Sequence, residues 1–236
     1  MRACLAAVLL VITTAVAAAG SLEEAGTANS KGDFQTARRI YTELANQGDP
    51  VAQLHLGLMY DEGNPKHSQQ AVRWYSVAAS QGNPEAPYYL GRIYQDSRGV
   101  SKNYARARRW YGVAAQRRHP KAAVNLGVMY AFGLGGPKNY LMAGRWFLLA
   151  ASQGDIKAQD NLGVLYQNGE GVRRNYVKAY MWFTLAAATQ VDSAAANHRD
   201  QIARLMTPSQ IEQARKLFAH AEIRCHLVPP LPCPSW

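Results

Sequence analysis

The chain has 236 residues, with 26 Lys or Arg against 16 Asp or Glu, which gives a formal net charge of +10. This length allows one or two domains with sizeable cores, and the basic excess makes acidic partners candidates. Beyond the first twenty residues, no stretch is apolar enough to span a bilayer.

Residues 1–19 have the pattern of a secretory signal peptide. Arg2 gives a positive start, residues 5–16 are mostly apolar, and the alanines at 17–19 are similar to a cleavage site. A short membrane anchor is the alternative, but the apolar run is brief for a span and ends in small residues. We expect cleavage near Ala17–Gly20 and a mature protein that is periplasmic or secreted.

Residues 51–190 repeat at nearly constant intervals. Tryptophans recur every 36 residues, and the glycine of a Leu-Gly pair recurs at intervals of 34, 36 and 36. Apolar residues at helical spacing predict two helices in each unit. We predict four repeats, at about 51–83, 84–119, 120–155 and 156–190, preceded by an N-terminal half-repeat or cap at 20–50. The recurring residues are Gly57, Gly91, Gly127 and Gly163, with Trp74, Trp110, Trp146 and Trp182.

Helix ends are also marked in the sequence. Asp, Asn or His before proline predicts the start of a first helix, and a single Asn predicts the start of each second helix. The predicted caps are Asp49, Asn83, Asn103, Asn139 and Asn175, and His119 stands before the proline that opens another first helix. Glycines at 48, 82 and 154 stand where a left-handed residue would end a helix, whereas Arg118 and Gln190 replace that glycine. The Gly-rich segment 166–176 follows a helix and lacks the Gly-Lys-Ser/Thr of a phosphate loop, so it predicts a turn.

The C-terminal part is predicted to close the repeats. Residues 191–222 predict capping helices, with Thr207 as an N-cap. A Pro-rich tail follows at 223–236, and its Cys225 and Cys233 are the cysteines that remain after signal cleavage. In an oxidising compartment this pair predicts a disulfide.

A metal site is the competing interpretation of the same segment. It would combine the two cysteines with His220 and His226, but their order matches no standard zinc spacing. We therefore predict neither a metal nor a cofactor.

The repeats resemble Sel1-like repeats, which are relatives of the tetratricopeptide repeat. The pattern A-x-x-x-L-G-x-x-Y-x-x-G-x-G-V, followed by K-A-x-x-W-x-x-x-A-A, is matched closely at 158–187. The resemblance implies an all-α, right-handed α-solenoid of antiparallel helix pairs that binds proteins or components of the bacterial envelope. A cysteine-rich branch is associated with β-lactam binding or hydrolysis, but this chain has no cysteine in its repeats.

The candidate binding residues lie in the variable columns of the first helices, which line the concave surface in relatives of this fold. They are His55, Tyr89, Asn125 and Asn161 before the Leu-Gly leucine, with Arg92 after the glycine. Neighbouring positions add Gln53, Asp160, Asp61 and Gln95. Polar and aromatic groups there would hold an extended peptide by hydrogen bonds and stacking. The alternative is that they support helix ends or neighbouring units. The recurring tryptophans are expected to form inter-helix core rather than a ligand cage.

No catalytic motif is present, because the chain has neither H-E-x-x-H nor G-x-S-x-G, and we expect no enzyme. The leading hypothesis is an exported scaffold for protein–protein interactions in the bacterial envelope, with a protein or peptide partner and no nucleic acid. One alternative is a binder of anionic glycan or peptidoglycan through basic groups such as 106–109 and 117–121. The other alternative is a β-lactam or peptidoglycan hydrolase.

Overall fold

The structure is a computed structural model that describes residues 20–63, 67–188 and 193–227. All the regular structure in these residues is helical, and it forms twelve α-helices. The predicted signal peptide at 1–19 lies outside the described residues. The helices are α1 (20–30), α2 (Phe34–Asn46), α3 (Pro50–Gly63), α4 (Ser68–Ser80), α5 (Ala86–Asp96), α6 (Tyr104–Gln116), α7 (Pro120–Phe132), α8 (Tyr140–Ala151), α9 (Ile156–Asn168), α10 (Tyr176–Ala187), α11 (Ser193–Ala203) and α12 (Pro208–Leu227).

The chain divides into two compact units, at 1–102 and 103–236. The first unit contains α1–α5 and the second contains α6–α12. The helix pairs α3/α4, α7/α8 and α9/α10 each correspond to one predicted repeat and pack closely together. The fold class is therefore all-α and built from repeated helix pairs, as predicted.

The N-terminal segment contains more than the predicted half-repeat. A short first helix, α1, precedes α2, and its Ala25 is fully buried against the core of α2. Leu22 and Ala28 of α1 pack against the same cluster. Residues 20–50 thus form a shortened helix pair, which covers the end of the first repeat.

The predicted cap Asp49 and the Asn caps of the second helices are present at atomic level. Asn83 is not the N-cap of α5, because that helix begins at Ala86 with Glu85 as its N-cap, although Asn83 Oδ1 still accepts from the Ala86 N–H at 3.0 Å. In α6, α8 and α10, the Asn side chains at 103, 139 and 175 each accept a hydrogen bond of 2.9–3.0 Å from the backbone N–H three residues later. Asp49 Oδ1 accepts from the N–H of Ala52 at 2.7 Å, and His119 Nδ1 accepts from the N–H of Ala122 at 3.2 Å. These bonds satisfy donors that every helix start leaves open.

One helix end is strained where glycine is missing. Arg118 has φ +65°, while the equivalent Gly48, Gly82 and Gly154 have φ between +84° and +97°. A side chain in this left-handed region costs about 1–2 kcal/mol. The Schellman-type turn is kept nonetheless, because the backbone N–H of His119 donates to the carbonyl of Ala114.

In each repeat, the fully buried aromatic ring belongs to the residue that follows the tryptophan. Tyr75, Tyr111, Phe147 and Phe183 are at most 1% exposed. The tryptophans predicted as core are less buried: Trp74, Trp110 and Trp146 are half-buried and Trp182 is 9% exposed. Adjacent residues point about 100° apart around a helix, so only one of the two rings faces the partner helix directly.

The Leu-Gly glycine is where this ring packs. A Cβ added to Gly57 would lie 2.5 Å from Tyr75 Cε1, and one added to Gly127 would lie 2.5 Å from Phe147 Cε1. At Gly163 the same atom would collide with Phe183. The two helices of a pair therefore approach closely because glycine leaves room for the ring.

The last helix is longer than predicted. It begins with a capping box, in which Thr207 and Gln210 exchange side-chain and backbone hydrogen bonds of 2.9 and 3.3 Å. It continues to Leu227, past the predicted boundary at 222, because the first helix-breaking proline is Pro229. The Cys225 side chain and the whole of Cys233 lie outside the described part of the chain, so the disulfide stays a prediction.

Candidate partner-binding site

Polar side chains from α3, α4, α5 and the turn after α5 gather in the first unit. We call this group the α3–α5 polar cluster: Asp61 on α3, Tyr75 on α4, Tyr89 and Arg92 on α5, and Arg98 in the turn after α5. An Arg98 guanidinium nitrogen lies 3.6 Å from Asp61 Oδ2. The rings of Tyr75 and Tyr89 stack with centroids 5.4 Å apart. The cluster thus joins residues from two successive repeats.

Asp61 is a buried carboxylate that is incompletely satisfied. Its side chain is 4% exposed, and Oδ1 is buried without a hydrogen-bond partner. Burial raises the pKa of Asp61, while the charges of Arg98 and Arg92 oppose that rise. A buried acceptor without a donor costs about 1–3 kcal/mol.

The tyrosines give the cluster an aromatic wall. Tyr75 is fully buried, and its hydroxyl has no hydrogen-bond partner. Burial, followed by the charge of Asp61, raises the pKa of Tyr75 far above its ordinary value. Tyr89 is half-buried and also contacts Tyr88 edge to face, and the Arg92 guanidinium lies 6.0 Å from the Tyr88 ring. Aromatic and guanidinium groups of this kind are enriched where proteins bind proteins.

The cluster is specific to the first two repeats. Counted from the Leu-Gly glycine, the position of Asp61 is occupied by glutamine, alanine and glutamine in the later repeats. The position of Arg98 is occupied by Leu134 and Glu170. Because the helix pair forms without these charges elsewhere in the chain, the repeat fold itself does not require them.

The predicted binding column is only partly available. The His55 ring stacks on Tyr41 at 4.9 Å, and burial lowers the pKa of His55. The Asn161 amide donates to the Lys157 carbonyl of its own helix at 2.8 Å, and Asn125 is half-buried on α7. The structure brings together Tyr89 and Arg92, whereas Asn125 and Asn161 belong to the second unit.

Sequence reasoning missed two members of the cluster, Tyr75 and Arg98. For Arg98 the available signal was its column, which holds Leu134 and Glu170 in the later repeats, whereas Tyr75 stands in a column that is aromatic in every repeat and gives no such signal. Gln53, which the sequence placed near the binding column, is instead buried and donates to the Ala45 carbonyl at 3.2 Å. Gln159 repeats that bond with the Ala151 carbonyl, so both glutamines tie a first helix to the helix before it.

The second unit holds a partly buried polar pair between its last repeat and the helix that follows it. His198 Nδ1 of α11 lies 2.9 Å from Asp160 Oδ1 of α9, and the His198 ring packs 5.2 Å from Phe183. The pair attaches a capping helix to the last repeat.

Within 20–63, 67–188 and 193–227, no three His, Cys, Asp or Glu side chains are grouped to hold a metal. The metal alternative at 220–233 lies outside the described side chains. None of the helices in those ranges is long and apolar enough to cross a membrane. A shallow cavity of about 320 Å³ is lined by Arg174, Asn175, Tyr176, Val177 and Gln210, which offer no nucleophile paired with a base.

Known proteins match the chain as follows. The family model for the Sel1 repeat matches residues 50–83, 84–119, 120–155 and 156–188. A Sel1 repeat protein from Oxalobacter formigenes is 34% identical with a TM-score of 0.62, over 71% of this chain and 49% of that chain. This chain therefore spans about half the length of that protein.

A second solved structure shows the fold alone. It is c5321, a protective antigen present in uropathogenic Escherichia coli strains and displaying an SLR fold, with 24% identity and a TM-score of 0.53. The similarity covers 92% of this chain and 58% of c5321. No curated protein sequence matches the chain.

Proposed function

Because the chain belongs to the Sel1 repeat family, whose members generally serve as protein-interaction scaffolds, we propose that it is an exported scaffold of the bacterial envelope. It holds a protein partner through the first helices of its repeats. The α3–α5 polar cluster is the contact point, and no catalysis is involved.

The observation that supports this proposal most directly is the pair Tyr89 and Arg92, which are half-buried side chains of α5. Aromatic and guanidinium groups of this kind can be covered by a partner, and they are enriched among the residues that contribute most to binding. Since Tyr89 is already held by stacking on Tyr75, and Asp61 by its ion pair with Arg98, binding requires little reordering.

Export is supported by the sequence of residues 1–19, which has the charged start, apolar segment and small-residue end of a signal peptide. Fractionation of cells that produce the chain with and without these residues tests this part separately. If the chain stays in the cytoplasm both with and without residues 1–19, export would be contradicted.

The partner is tested by crosslinking capture from envelope extracts. The bait is the processed chain, compared with the variant Asp61→Asn/Arg92→Ala. The matched control is Glu24→Gln/Arg73→Ala, which removes the same charges at exposed positions of α1 and α4 in the same unit. We expect one partner to be captured by the wild type and by the control variant, and to be lost by the Asp61→Asn/Arg92→Ala variant. Equal capture by all three baits would contradict the proposed site.

A second candidate function is binding of an anionic glycan. The observation in its favour is the α6–α7 turn, where Arg117, Arg118 and Lys121 are all exposed. Retention on an anionic glycan column that disappears at moderate salt, and disappears in Arg117→Gln/Lys121→Gln, would support this function instead.

A further inference from the structure

The net positive charge of the chain lies in one block. Residues 97–154 contain ten Lys or Arg and no Asp or Glu, while the remaining residues contain 16 of each sign. Eight of the ten lie within 103–154, in helices α6 to α8 and their turns. Segregation of this degree gives a strong positive field on one part of the second unit.

The turns of the second unit join the starts of α6, α8 and α10 into one surface. Gly135, in the turn after α7, lies so close to the backbone of Tyr104 and Ala105 that a Cβ would collide with them. Gly171, in the turn after α9, is equally close to the backbone of Tyr140 and Leu141. We call this surface, made of residues 104–106, 132–141 and 169–176, the amino-end face.

The amino-end face is held in a defined shape. The Arg108 guanidinium lies 3.7 Å from the centre of the Tyr130 ring and donates to the Pro137 carbonyl at 3.4 Å. The backbone N–H of Asn139 donates to the Tyr130 carbonyl at 2.8 Å. The turn between α7 and α8 is thus fixed to α6, and its other side chains project outward from a rigid support.

Two bulky apolar side chains project from this face into solvent. Phe132 is 70% exposed and Leu141 is 53% exposed. At the position of Phe132 the other repeats have Glu62, Asp96 and Asn168, all of which suit solvent. The fold therefore gives no reason for a phenylalanine there.

Cationic side chains surround the two apolar ones. Those on the amino-end face that are exposed are Arg106, Lys138, Arg173 and Arg174. The acid in the same stretch is Glu170, which is half-buried beside Asn168. The starts of three helices add partial positive charge to the same surface.

We propose that the amino-end face binds the surface of a membrane that contains anionic lipids. Phe132 and Leu141 enter the boundary between head groups and acyl chains, and the cations contact lipid phosphates. Apolar side chains that protrude, rather than line a groove, fit a fluid surface that closes around them. An anionic glycan offers the charge but no apolar phase for Phe132. This inference is independent of the protein partner of the α3–α5 polar cluster.

The test is co-sedimentation of the protein with vesicles of phosphatidylcholine alone or with a minority of phosphatidylglycerol. All proteins compared have the same N-terminus, so any contribution of residues 1–19 is common to them. The wild type should bind the anionic vesicles and not the neutral ones. Failure to bind anionic vesicles at low ionic strength would overturn the proposal.

The apolar part is tested by Phe132→Ser/Leu141→Ser, which should lower the partition coefficient about ten-fold or more. The matched control is Phe34→Ser/Leu205→Ser, which removes two similarly exposed apolar side chains that lie outside the face. This control should bind like the wild type. An equal loss in both variants would mean unspecific hydrophobic adsorption and would overturn the site.

The cationic part is tested by Lys138→Gln/Arg173→Gln, with an expected loss of about five-fold for each charge. Arg38→Gln/Arg73→Gln removes two exposed charges from the first unit and should have little effect. Thermal melts should be unchanged, because all these side chains are exposed. If the wild type does not bind vesicles, and both it and the Phe132→Ser/Leu141→Ser variant bind a soluble polyanion, the face would be assigned to a glycan. If the wild type self-associates but does not bind vesicles, and the Phe132→Ser/Leu141→Ser variant no longer self-associates, the amino-end face would be assigned to a second copy of the chain.

Discussion

Replacing the Leu-Gly glycine of the third repeat by alanine tests how the helix pairs are held together. In an unobstructed helix, Gly→Ala stabilises by about 1 kcal/mol, because alanine has the better helix propensity. Gly127 is obstructed, since a Cβ would lie 2.5 and 2.6 Å from two ring carbons of Phe147. Ordinary contacts are about 3.5–4 Å. The ring would therefore have to move by about 1 Å.

Phe147 has no room for that movement, because it is 1% exposed in the core of α7 and α8. Overpacking of this kind costs about 1–3 kcal/mol and sometimes more. Two ring atoms are affected, so we take about 3 kcal/mol and subtract the propensity gain of about 1 kcal/mol. Gly127→Ala should then destabilise by about 2 kcal/mol and lower Tm by about 4–8 °C for a chain of this size.

The matched control is Gly112→Ala on α6, where a Cβ would meet nothing within 4 Å. This variant should raise Tm by about 2–4 °C. Thermal unfolding followed by circular dichroism measures both. In a double-mutant cycle, Phe147→Leu should remove part of the penalty of Gly127→Ala and leave Gly112→Ala unaffected. A Tm for Gly127→Ala equal to that of Gly112→Ala would refute the packing argument.

Phe147→Ala should lower the free energy of unfolding by about 3–5 kcal/mol and Trp146→Ala by clearly less, since only the Phe147 ring is fully buried. A larger drop in Tm for Trp146→Ala than for Phe147→Ala in thermal melts would contradict this prediction. Asp61→Asn should raise Tm at neutral pH and leave it unchanged below pH 3.8, the ordinary pKa of aspartate. Burial raises the pKa of Asp61 in the folded chain, so the ionised carboxylate lowers the stability of the fold only as the pH rises above 3.8. A lower Tm at neutral pH would show that the pair with Arg98 outweighs burial, and a gain that persists below pH 3.8 would show that the charge of Asp61 is not its cause. Mass spectrometry of a non-reduced digest should find Cys225 linked to Cys233 in the exported chain, and two free thiols would contradict that bridge.

The binding column and the polar cluster differ in how far sequence could predict them. Tyr89 and Arg92 were found because they vary within an otherwise regular pattern. Asp61 and Arg98 are 37 positions apart in the sequence, and their approach at 3.6 Å depends on how α3 packs beside α5. His55 had the same sequence signal as Tyr89, yet its ring is occupied by stacking on Tyr41.

The repeat, the helix pairs and most helix ends could be predicted from the sequence alone. These features are local: a 36-residue interval, apolar residues at helical spacing, and cap residues that satisfy the open donors of a helix start. The sequence also contained the charge segregation of residues 97–154, since counting charges needs no structure.

The packed structure was needed to learn which of two neighbouring aromatic residues lies against the glycine. It was also needed to learn which polar side chains remain available for a partner. Both depend on the rotation of one helix against another, and a change of about 100° exchanges adjacent side chains. Likewise, Phe132 and Leu141 are apolar residues in helices and would be assigned to the core by composition. Their exposure, 70% and 53%, is a property of the packed helices.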